Sequence, residues 1–380
     1  MTRRKITIIT SVHPDFDKRV WRHAKLAKNV GFDVRLICPW DVPVGKVKDG
    51  VNLIPFQRVK GRIRRLLFIQ FVILFEVIKS FRKTDLYHFH DIDILPLMTM
   101  LSFFKPVVYD IHENYHDEML DRDWIPKLMR RPLYYLVKYS QWIMTRKIKN
   151  IVCVVPVQEQ ELRGKRINSV LIRNFASIDI VSKNKPDYES RKNVVIFTGG
   201  HYKSNGSELI LDIIDELCVK RNRDVKFLLS SKFTSAQYKT FIYKNISKRG
   251  LNSFIEFFPQ VDPEGLLHYI NMAKIGISPN LNVVKQRKAL PTKVFEYMAS
   301  GVPSVVTDLP LIRETCSGLK FGMLVSDAPK CFANAIEDLL FENPWSANMS
   351  KLLVSNFEKT LSWESQGENL KNFYTTILNE

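Results

Sequence analysis

Cysteine is scarce in this sequence of 380 residues. The number of cysteines is odd and no two have the C-x-x-C spacing, which argues against a disulfide framework and against a zinc knuckle. Such cysteine usage is typical of a reducing compartment, so we expect a cytoplasmic protein. The five cysteines are Cys38, Cys153, Cys218, Cys316 and Cys331.

Long apolar runs and nucleotide-loop motifs are also missing. A membrane-spanning helix needs about 20 nearly uninterrupted apolar residues. The longest apolar run, residues 66–81, is interrupted by Gln70, Glu76, Lys79 and Ser80, so we do not expect it to span. No G-x-G-x-x-G follows a strand-like segment and no Walker loop is present, so dinucleotide and ATP chemistry are not supported.

Acidic residues are too few to balance the basic ones. The chain has 57 Lys and Arg against 39 Asp and Glu, a net charge of +18. Residues 1–180 contain 32 basic and 18 acidic residues, while residues 181–380 contain 25 and 21. The first half is therefore expected to meet an anionic partner. Basic charge alone supports only non-specific contact with nucleic acid, and no nucleic-acid-reading module is recognisable, so we predict no nucleic-acid partner.

The length and the residue pattern predict two α/β domains. Short β-branched runs alternate with longer helical stretches from residue 6 to residue 155, and the alternation starts again at residue 193. Residues 174–190 are polar, contain Pro186 and lack periodicity, which indicates a linker. Doubly wound sheets bind ligands beyond the carboxyl ends of their strands, so a cleft between two such domains is the expected active site.

The most informative stretch is LPTKVFEYMASGVPSVVTDLP, residues 290–310. Pro291 and Thr292 open a predicted helix, whose first turn offers free N–H groups and a positive dipole end. The Thr292 hydroxyl and the Lys293 ammonium lie beside that end, and together they suit a diphosphate. Glu296 follows one turn later and can accept hydrogen bonds from sugar hydroxyls. Taken alone, the stretch is equally compatible with an ordinary amphipathic helix in which Glu296 is solvated.

This stretch resembles the nucleotide-sugar site of retaining glycosyltransferases of family 4, which have the GT-B fold. Four other segments resemble parts of that family in the same order along the chain, so the resemblance covers essentially all of it. They are the opening loop at residues 11–20 with His13, Asp17 and Arg19, the YDxHE-like loop at residues 109–115 with His112 and Glu113, the phosphate loop at residues 197–206 with Gly199, Gly200 and Lys203, and the start of a C-terminal helix at residues 361–364.

The resemblance implies an α/β protein of two facing Rossmann-like domains with a cleft between them. Residues 1–173 would bind the acceptor, residues 190–360 would bind the nucleotide-sugar, and a helix in residues 361–380 would cross back to the first domain. The implied reaction is transfer of a sugar from a nucleotide-sugar donor to a glycan acceptor, polyprenyl-linked, with retention of anomeric configuration. It would serve bacterial polysaccharide, lipopolysaccharide or capsule synthesis and would need no metal or other cofactor.

Roles for single residues follow from the chemistry and from the resemblance. Charge develops on the leaving diphosphate, so cations near it would stabilise the transition state. The candidate catalytic residues are His112, which would face the donor sugar, Lys293, which would neutralise the diphosphate, and Glu296, which would hold the ribose. The donor-binding set adds Gly199, Gly200, Lys203, Gln260, Val261 and Thr292, with Gln260 and Val261 near the base. The opening loop and acceptor side comprise His13, Asp17, Arg19 and Glu113, with Arg19 a further cation for the diphosphate.

Two positions depart from the family pattern. Lys288 stands where the family has its first glutamate, eight residues before Glu296. Asn205 stands where a basic residue usually precedes the glycine of the phosphate loop, with Lys203 as the nearby cation. A nucleotide-sugar 2-epimerase of related fold and a catalytically inactive nucleotide-sugar-binding protein are therefore the alternatives.

A metal site is a competing interpretation of the first half. Asp91-Ile92-Asp93 imitates the DxD motif of the single-domain GT-A glycosyltransferases, but three residues are a weak signal. Helix ends and lysines already supply phosphate neutralisation, so we predict no metal site. The candidate ligands would have been His88, His90, Asp91, Asp93, His112, Glu113 and His116.

Two segments of the first half combine basic and apolar residues. Eight basic residues between positions 58 and 83 flank the apolar run 66–78, and a basic, aromatic segment covers residues 122–149. Ordinary helices with charged side chains at their rim would give the same pattern. We favour peripheral docking on an anionic membrane surface, at the inner face of the cell membrane, where each Lys or Arg adds about 1 kcal/mol.

Overall fold

The computed structural model describes residues 3–13, 18–40, 47–59, 61–111, 115–121, 125–162, 167–181 and 187–379. The chain divides into two compact units. The first consists of Met1–Arg173 with Gln366–Glu380, and the second of Asn174–Ser365. Each unit is a parallel α/β structure, which confirms the predicted fold class.

The first unit is built on an eight-stranded sheet of order β3-β4-β2-β1-β5-β6-β7-β8, parallel except between β3 and β4. Its strands are β1 (Lys5–Ile9), β2 (Asp33–Trp40), β3 (Val47–Lys48), β4 (Val51–Gln57), β5 (Leu86–Phe89), β6 (Val107–Ile111), β7 (Asn150–Cys153) and β8 (Asn168–Leu171). Its helices are α1 (Lys18–Asn29), α2 (Arg62–Ser80), α3 (Leu95–Leu101), α4 (Tyr115–Asp121), α5 (Lys127–Ile148) and α6 (Pro156–Leu162), together with the C-terminal helix.

The second unit is built on a six-stranded parallel sheet of order β11-β10-β9-β12-β13-β14. Its strands are β9 (Val194–Phe197), β10 (Lys226–Ser230), β11 (Ile255–Phe258), β12 (Ile275–Ser278), β13 (Ser304–Thr307) and β14 (Gly322–Val325). Its helices are α7 (Ser207–Ile214), α8 (Ala236–Lys248), α9 (Pro263–Met272), α10 (Val284–Arg287), α11 (Thr292–Ala299), α12 (Pro310–Thr315), α13 (Pro329–Glu337) and α14 (Ala347–Asn356).

The central strands are buried without alternation because they are covered on both sides. Every residue of β5, β6, β12 and β13 is buried. Parallel strands with helices on both faces have this pattern, whereas a half-exposed strand alternates. The chain turns back across the sheet between β1 and β5 in the first unit, and between β9 and β12 in the second. These switch points are where doubly wound sheets offer a crevice to a ligand.

The residues predicted as a linker pack onto the second unit. Phe175 is buried, and its ring centroid lies 4.7 Å from that of Phe295 in α11. Tyr188 is also buried and donates to the carbonyl of Lys274 at 2.9 Å. Ile178 and Val181 also pack against this core, so apolar side chains hold the described part of the stretch against the second unit.

The C-terminal segment of the first unit starts at Gln366, later than the predicted start at residue 361. Trp363 N–H donates to the Ala176 carbonyl at 2.8 Å, and Glu364 accepts from the hydroxyl of Ser177 at 2.5 Å. These bonds keep residues 361–365 in the second unit. Gly367–Asn379 then forms α15, which packs against α1 of the first unit.

Within the described ranges, no helix is both long enough and apolar enough to cross a membrane. Helix α2, which contains most of the run at residues 66–81, has Gln70 and Glu76 among its apolar residues.

Tyr374 of α15 offers a test of how far the C-terminal helix supports the first unit. It is fully buried, and its hydroxyl shares a 2.5 Å hydrogen bond with Nδ1 of His88. We expect Tyr374→Ala to lower the free energy of unfolding by about 3 kcal/mol or more, as for other buried aromatic residues. Tyr135→Ala, an exposed control on α5, should stay within about 0.5 kcal/mol. An equal decrease in the free energy of unfolding of the two variants, measured by urea titration, would contradict this account.

Candidate functional site

The switch point of the second unit brings together the ends of β9 and β12 and the start of α11. Gly199 follows β9, Ser278 ends β12, and Lys293 lies in the first turn of α11. The Lys293 Nζ lies 3.5 Å from the Ser278 Oγ and 3.4 Å from the Asn280 Oδ1. It also lies 4.7 Å from the centroid of the Phe197 ring, a cation–π distance. A single buried ammonium is thus placed where a ligand crevice is expected.

Gly199 is required for this approach. A Cβ at position 199 would lie 2.7 Å from the Cζ of Phe197 and 2.8 Å from the Cε of Lys293. Any larger residue would push the lysine away from the end of β9. The Gly199 carbonyl accepts from the Ser230 hydroxyl at 2.5 Å, which ties this loop to β10. Gly199 and Lys293, both predicted as donor-binding residues, therefore lie side by side.

The electrostatics of Lys293 are those of a cation whose natural partner is an anionic ligand. Burial lowers the pKa of its ammonium from 10.5 to about 8, and the carboxylate of Glu296 opposes this shift. The side-chain atoms that it reaches on Ser278 and Asn280 are neutral oxygens. A bound diphosphate would supply the missing negative charge and favour the protonated form.

Helix α11 presents its amino end without a side-chain cap. Pro291 occupies the N-cap position, and proline offers no side-chain acceptor to the first N–H groups. Thr292 is exposed at this end, and Glu296 is half-buried one turn later. Tyr297 fastens the helix, because its hydroxyl accepts from the Thr198 N–H at 3.0 Å. The predicted anion site therefore has the expected groups at one helix terminus.

A buried amide network supports Lys293, and sequence reasoning missed it. Asn280 accepts from Ser278 at 2.9 Å and donates to Gln286 at 2.6 Å and to Asn205 at 3.2 Å. Asn205 donates to the Gly200 carbonyl at 3.0 Å. Asn205, the residue that departs from the family pattern, thus holds the phosphate loop by neutral hydrogen bonds. A polar residue two positions after buried β12, next to the switch point, was the available signal.

The remaining donor-side candidates lie at the periphery of this site. Lys203 is exposed at the start of the turn that precedes α7. Gln260 and Val261 are exposed after β11, two strands from β9, which corresponds to roughly 10 Å at about 4.8 Å per strand. Lys288 is half-buried at the end of α10.

The switch point of the first unit is organised by Asp91, which follows β5. Its Oδ2 accepts from the Thr10 hydroxyl at 2.7 Å and from the Ser11 N–H at 2.6 Å, and its Oδ1 lies 3.3 Å from the His13 Nε2. Burial raises the pKa of Asp91, but these hydrogen bonds outweigh it and hold that pKa well below its usual value. His13, a predicted opening-loop residue, is therefore positioned by an ionised carboxylate.

Arg19 has a different partner from the one predicted. It is 7% exposed, and its Nη2 donates to both oxygens of Asp110 at 2.8 and 2.9 Å. Asp110 is also within 3.1 Å of the His23 Nε2 and 3.3 Å of the His90 Nδ1. Burial raises the pKa of Asp110, yet Arg19 and the histidines hold it well below its usual value. The Arg19 charge is thus already neutralised within the first unit.

The metal interpretation can be compared with the described residues. Among them, one group of three could present ligand atoms to an ion, namely His23, His88 and Asp110, within 4.8 Å of one another. Asp110 already pairs with the Arg19 guanidinium, which would repel a cation. Asp93, from the DxD-like motif, accepts from the Nε of Arg65 at 2.7 Å.

Three predicted site residues lie outside the described residues. They are Asp17, His112 and Glu113.

Comparisons with known proteins agree with this arrangement. Residues 192–342, which contain the Lys293 site, match the family described as glycosyl transferases group 1. A Bacillus subtilis protein assigned by name to teichuronic acid biosynthesis, the glycosyltransferase TuaH, is 22% identical over 289 residues. The match covers 70% of this chain and 66% of that relative, so about a third of the relative's length lies outside it.

Solved structures show the fold. Sucrose-phosphate synthase from Thermosynechococcus elongatus has a TM-score of 0.76 at 16% identity, over 99% of this chain and 100% of that one. HepE of Anabaena, solved in complex with UDP and glucose, has a TM-score of 0.71 at 12% identity, over 98% and 100%. The chain therefore has the two-domain α/β fold called GT-B, and residues 192–342 of its second unit are similar to the glycosyl transferases group 1 family.

The charge state of Lys293 is directly measurable. In a ¹³C-lysine NMR titration, we expect one Cε signal to titrate at about pH 8, and Lys293→Arg should remove it. Glu296→Gln should lower this pKa further, because the carboxylate favours the charged ammonium. A spectrum in which every lysine titrates near the ordinary value of about 10.4 would contradict the buried position.

Proposed function

We propose that this protein is a glycosyltransferase that moves a sugar from a nucleotide-sugar to a glycan acceptor, with retention of anomeric configuration. The observation that carries the proposal is the buried Lys293 ammonium beside Gly199 at the uncapped end of α11. Residues matched by the glycosyl transferases group 1 family include this whole arrangement. The complex of HepE with UDP and glucose supports a UDP-sugar as donor.

The donor would place its diphosphate against Lys293, Thr292 and the first N–H groups of α11. Glu296 would accept hydrogen bonds from the ribose, Lys203 would approach the phosphates from the loop after β9, and the loop at Gln260 and Val261 would meet the base. An extended nucleotide fits the distance of roughly 10 Å between the ends of β9 and β11. Each group then has a distinct part of the donor to hold.

The reaction breaks the bond between the anomeric carbon and the diphosphate oxygen, and the electron pair leaves with the diphosphate. The acceptor hydroxyl attacks from the same face, and the departing phosphate takes its proton. Lys293 is the group that we propose to stabilise the developing charge. His112 would face the donor sugar. With a lysine and a helix terminus at the phosphates, we propose that transfer needs no metal ion.

Removing the ammonium should affect turnover strongly. We expect Lys293→Met to reduce the rate about 100-fold, the usual cost of losing one preorganised group at a developing charge. Glu296→Ala should weaken donor use, and Lys330→Met, which removes an exposed lysine on α13, should leave the rate unchanged. The measurement is release of UDP or GDP from a panel of nucleotide-sugars, with membrane-extracted polyprenyl-linked glycans as acceptor.

The same assay separates the alternatives. Wild-type rates in Lys293→Met and Glu296→Ala would refute the site. Epimerisation of the donor without an acceptor would identify a 2-epimerase, and binding without any turnover would identify an inactive binding protein, as the Lys288 departure allows. Activity should persist in EDTA, and a full loss restored by Mn²⁺ would overturn the metal-free mechanism.

We also propose that the acceptor is presented at an anionic membrane surface. Helices α2, α3 and α5 and the turn after α3 expose many large apolar side chains, and we call this surface the apolar–basic face. Its side chains that are more than half exposed are Phe68, Phe71, Phe75, Ile78, Met100, Phe103, Phe104, Leu128, Tyr135, Leu136, Tyr139 and Ile143. In the described part of the second unit, only Val284 and Leu352 are as exposed.

The positive charge of α5 also favours binding to an anionic surface. Helix α5 has six Lys and Arg residues and no acidic residue along its 22 positions. Helix α3 packs against α5, and α2 packs against the turn that leads into α3, so the three helices form a continuous layer. Exposed aromatic residues surrounded by cations suit the headgroup region of an anionic bilayer. A peripheral protein at the inner face of the cell membrane would meet its polyprenyl-linked acceptor there.

Vesicle sedimentation of the full chain tests this docking. Binding should require anionic lipid such as phosphatidylglycerol and should fall with added salt. Replacing both Arg146 and Lys147 by Ala should weaken it roughly 30-fold, at about 1 kcal/mol for each cation. Lys351→Ala with Lys359→Ala, two exposed lysines of the second unit, is the matched control. Equal binding to neutral phosphatidylcholine vesicles, or none at low salt, would refute the proposal.

A further inference from the structure

The first unit contains a cavity of about 300 Å³, and all of its described lining residues belong to that unit. It is lined by α5 and α6, by the start of α4 and by the last residue of β6. Its volume is at the lower end of the range for small-molecule pockets, which is about 300–1,000 Å³. The lining residues are Ile111, His116, Lys138, Gln141, Trp142, Thr145, Gln158, Glu161 and Leu162. None of them belongs to the Lys293 site, which lies in the second unit.

The charges of this cavity favour a neutral ligand. Among the described lining residues, Lys138 and Glu161 are the two charged ones apart from His116, and they carry opposite signs. The pKa of Lys138 is raised, first by its hydrogen bond with the Tyr134 hydroxyl and also by the Glu161 carboxylate. A phosphate would gain from the lysine and lose to the glutamate. A ligand with many hydroxyl groups can instead accept from one and donate to the other.

Gln141 supplies the polar group that points to a ligand. It is only 8% exposed, and its Nε2 lies 3.4 Å from the hydroxyl of Tyr109. No donor among the described residues reaches its buried Oε1. A buried polar atom without a hydrogen bond is destabilising, and a ligand hydroxyl in the cavity would satisfy it. This amide can therefore accept from a group that the described residues do not provide.

Apolar and aromatic side chains form the other part of the wall. Ile111 and Leu162 are buried, and Trp142 is 39% exposed with the Arg146 guanidinium 4.0 Å from its ring centroid. Sugar rings combine apolar C–H faces with a rim of hydroxyl groups. An aromatic wall together with amide, carboxylate and ammonium groups offers a partner to each of these surfaces.

We propose that this cavity binds one sugar unit of the glycan acceptor. The assignment to an acceptor rests on the proposed glycosyltransferase function, whereas the sugar binding itself rests on the cavity. Ile111 directly precedes residues 112–114, the segment that contains His112 and Glu113. A glycan held here would have another part of its chain beside the end of β6 at Ile111. The cavity would thus select the acceptor by a sugar residue other than the one that reacts.

Saturation-transfer NMR with the full chain tests the proposal. The probes are glucose, galactose, mannose and N-acetylglucosamine, each at millimolar concentration. We expect at least one to bind to the wild type, Gln141→Leu to weaken it about fivefold, which is about 1 kcal/mol, and Trp142→Leu to weaken it further. Tyr139→Leu is the matched control, because it removes an aromatic residue that is exposed on α5 outside the cavity.

UDP and GDP binding, measured on the same samples, distinguishes the two proposals. The nucleotide site lies in the second unit, so an unchanged Tm of Gln141→Leu and Trp142→Leu is needed to show that the first unit of these variants is folded. Absence of binding by all four sugars, or equal binding by the Trp142→Leu and Tyr139→Leu variants, overturns the cavity proposal even where a nucleotide binds. Sugar binding that depends on Gln141 and Trp142 in a protein that binds neither UDP nor GDP supports the cavity and removes the glycosyltransferase assignment instead.

Discussion

The buried carboxylate of Asp110 is the group on which the first unit converges. It lies on β6, pairs with Arg19 and His23 of α1, and is 3.3 and 3.7 Å from the ring nitrogens of His90 and His88. His88 in turn holds Tyr374 of α15. Two strands and two helices thus meet at one ionised group. Removing one partner of such a buried pair is strongly destabilising, because the remaining charge would be buried without compensation.

The two units treat a buried cation in opposite ways. The charge of Arg19 is neutralised by the carboxylate of Asp110 in the same unit, so this ion pair stabilises the unit. Lys293 is surrounded by the neutral oxygens of Ser278 and Asn280 and by the Phe197 ring, with Glu296 farther along the helix. Burial in these surroundings disfavours the charged ammonium and lowers its pKa. An incomplete charge balance of this kind is typical of functional sites, whereas a complete one is typical of structural ones.

Sequence reasoning predicted most of the strands, though not β3, β4 or β8, and it named Gly199 and Lys293 as candidates for one site, because those depend on local patterns. Buried parallel strands are continuous apolar runs, and a helix terminus after a proline is visible in a few residues. It assigned Arg19 to the diphosphate, because its actual partner Asp110 is 91 positions away and nothing local couples them. The Asn205–Asn280 bond joins residues 75 positions apart and was missed for the same reason. Features that depend on a few neighbouring residues could be predicted, whereas hydrogen bonds and ion pairs between residues far apart in the sequence could not.

The position of α15 has a consequence for how the protein is made. The first unit is discontinuous, since residues 366–380 complete a domain whose other part ends at Arg173. A ribosome therefore synthesises the whole second unit before it releases the helix that covers His88. Until then, the nascent first unit has α1 without its partner helix. A chain interrupted before Gln366 would contain the whole second unit, while α1 and His88 of the first unit would lack the helix that covers them.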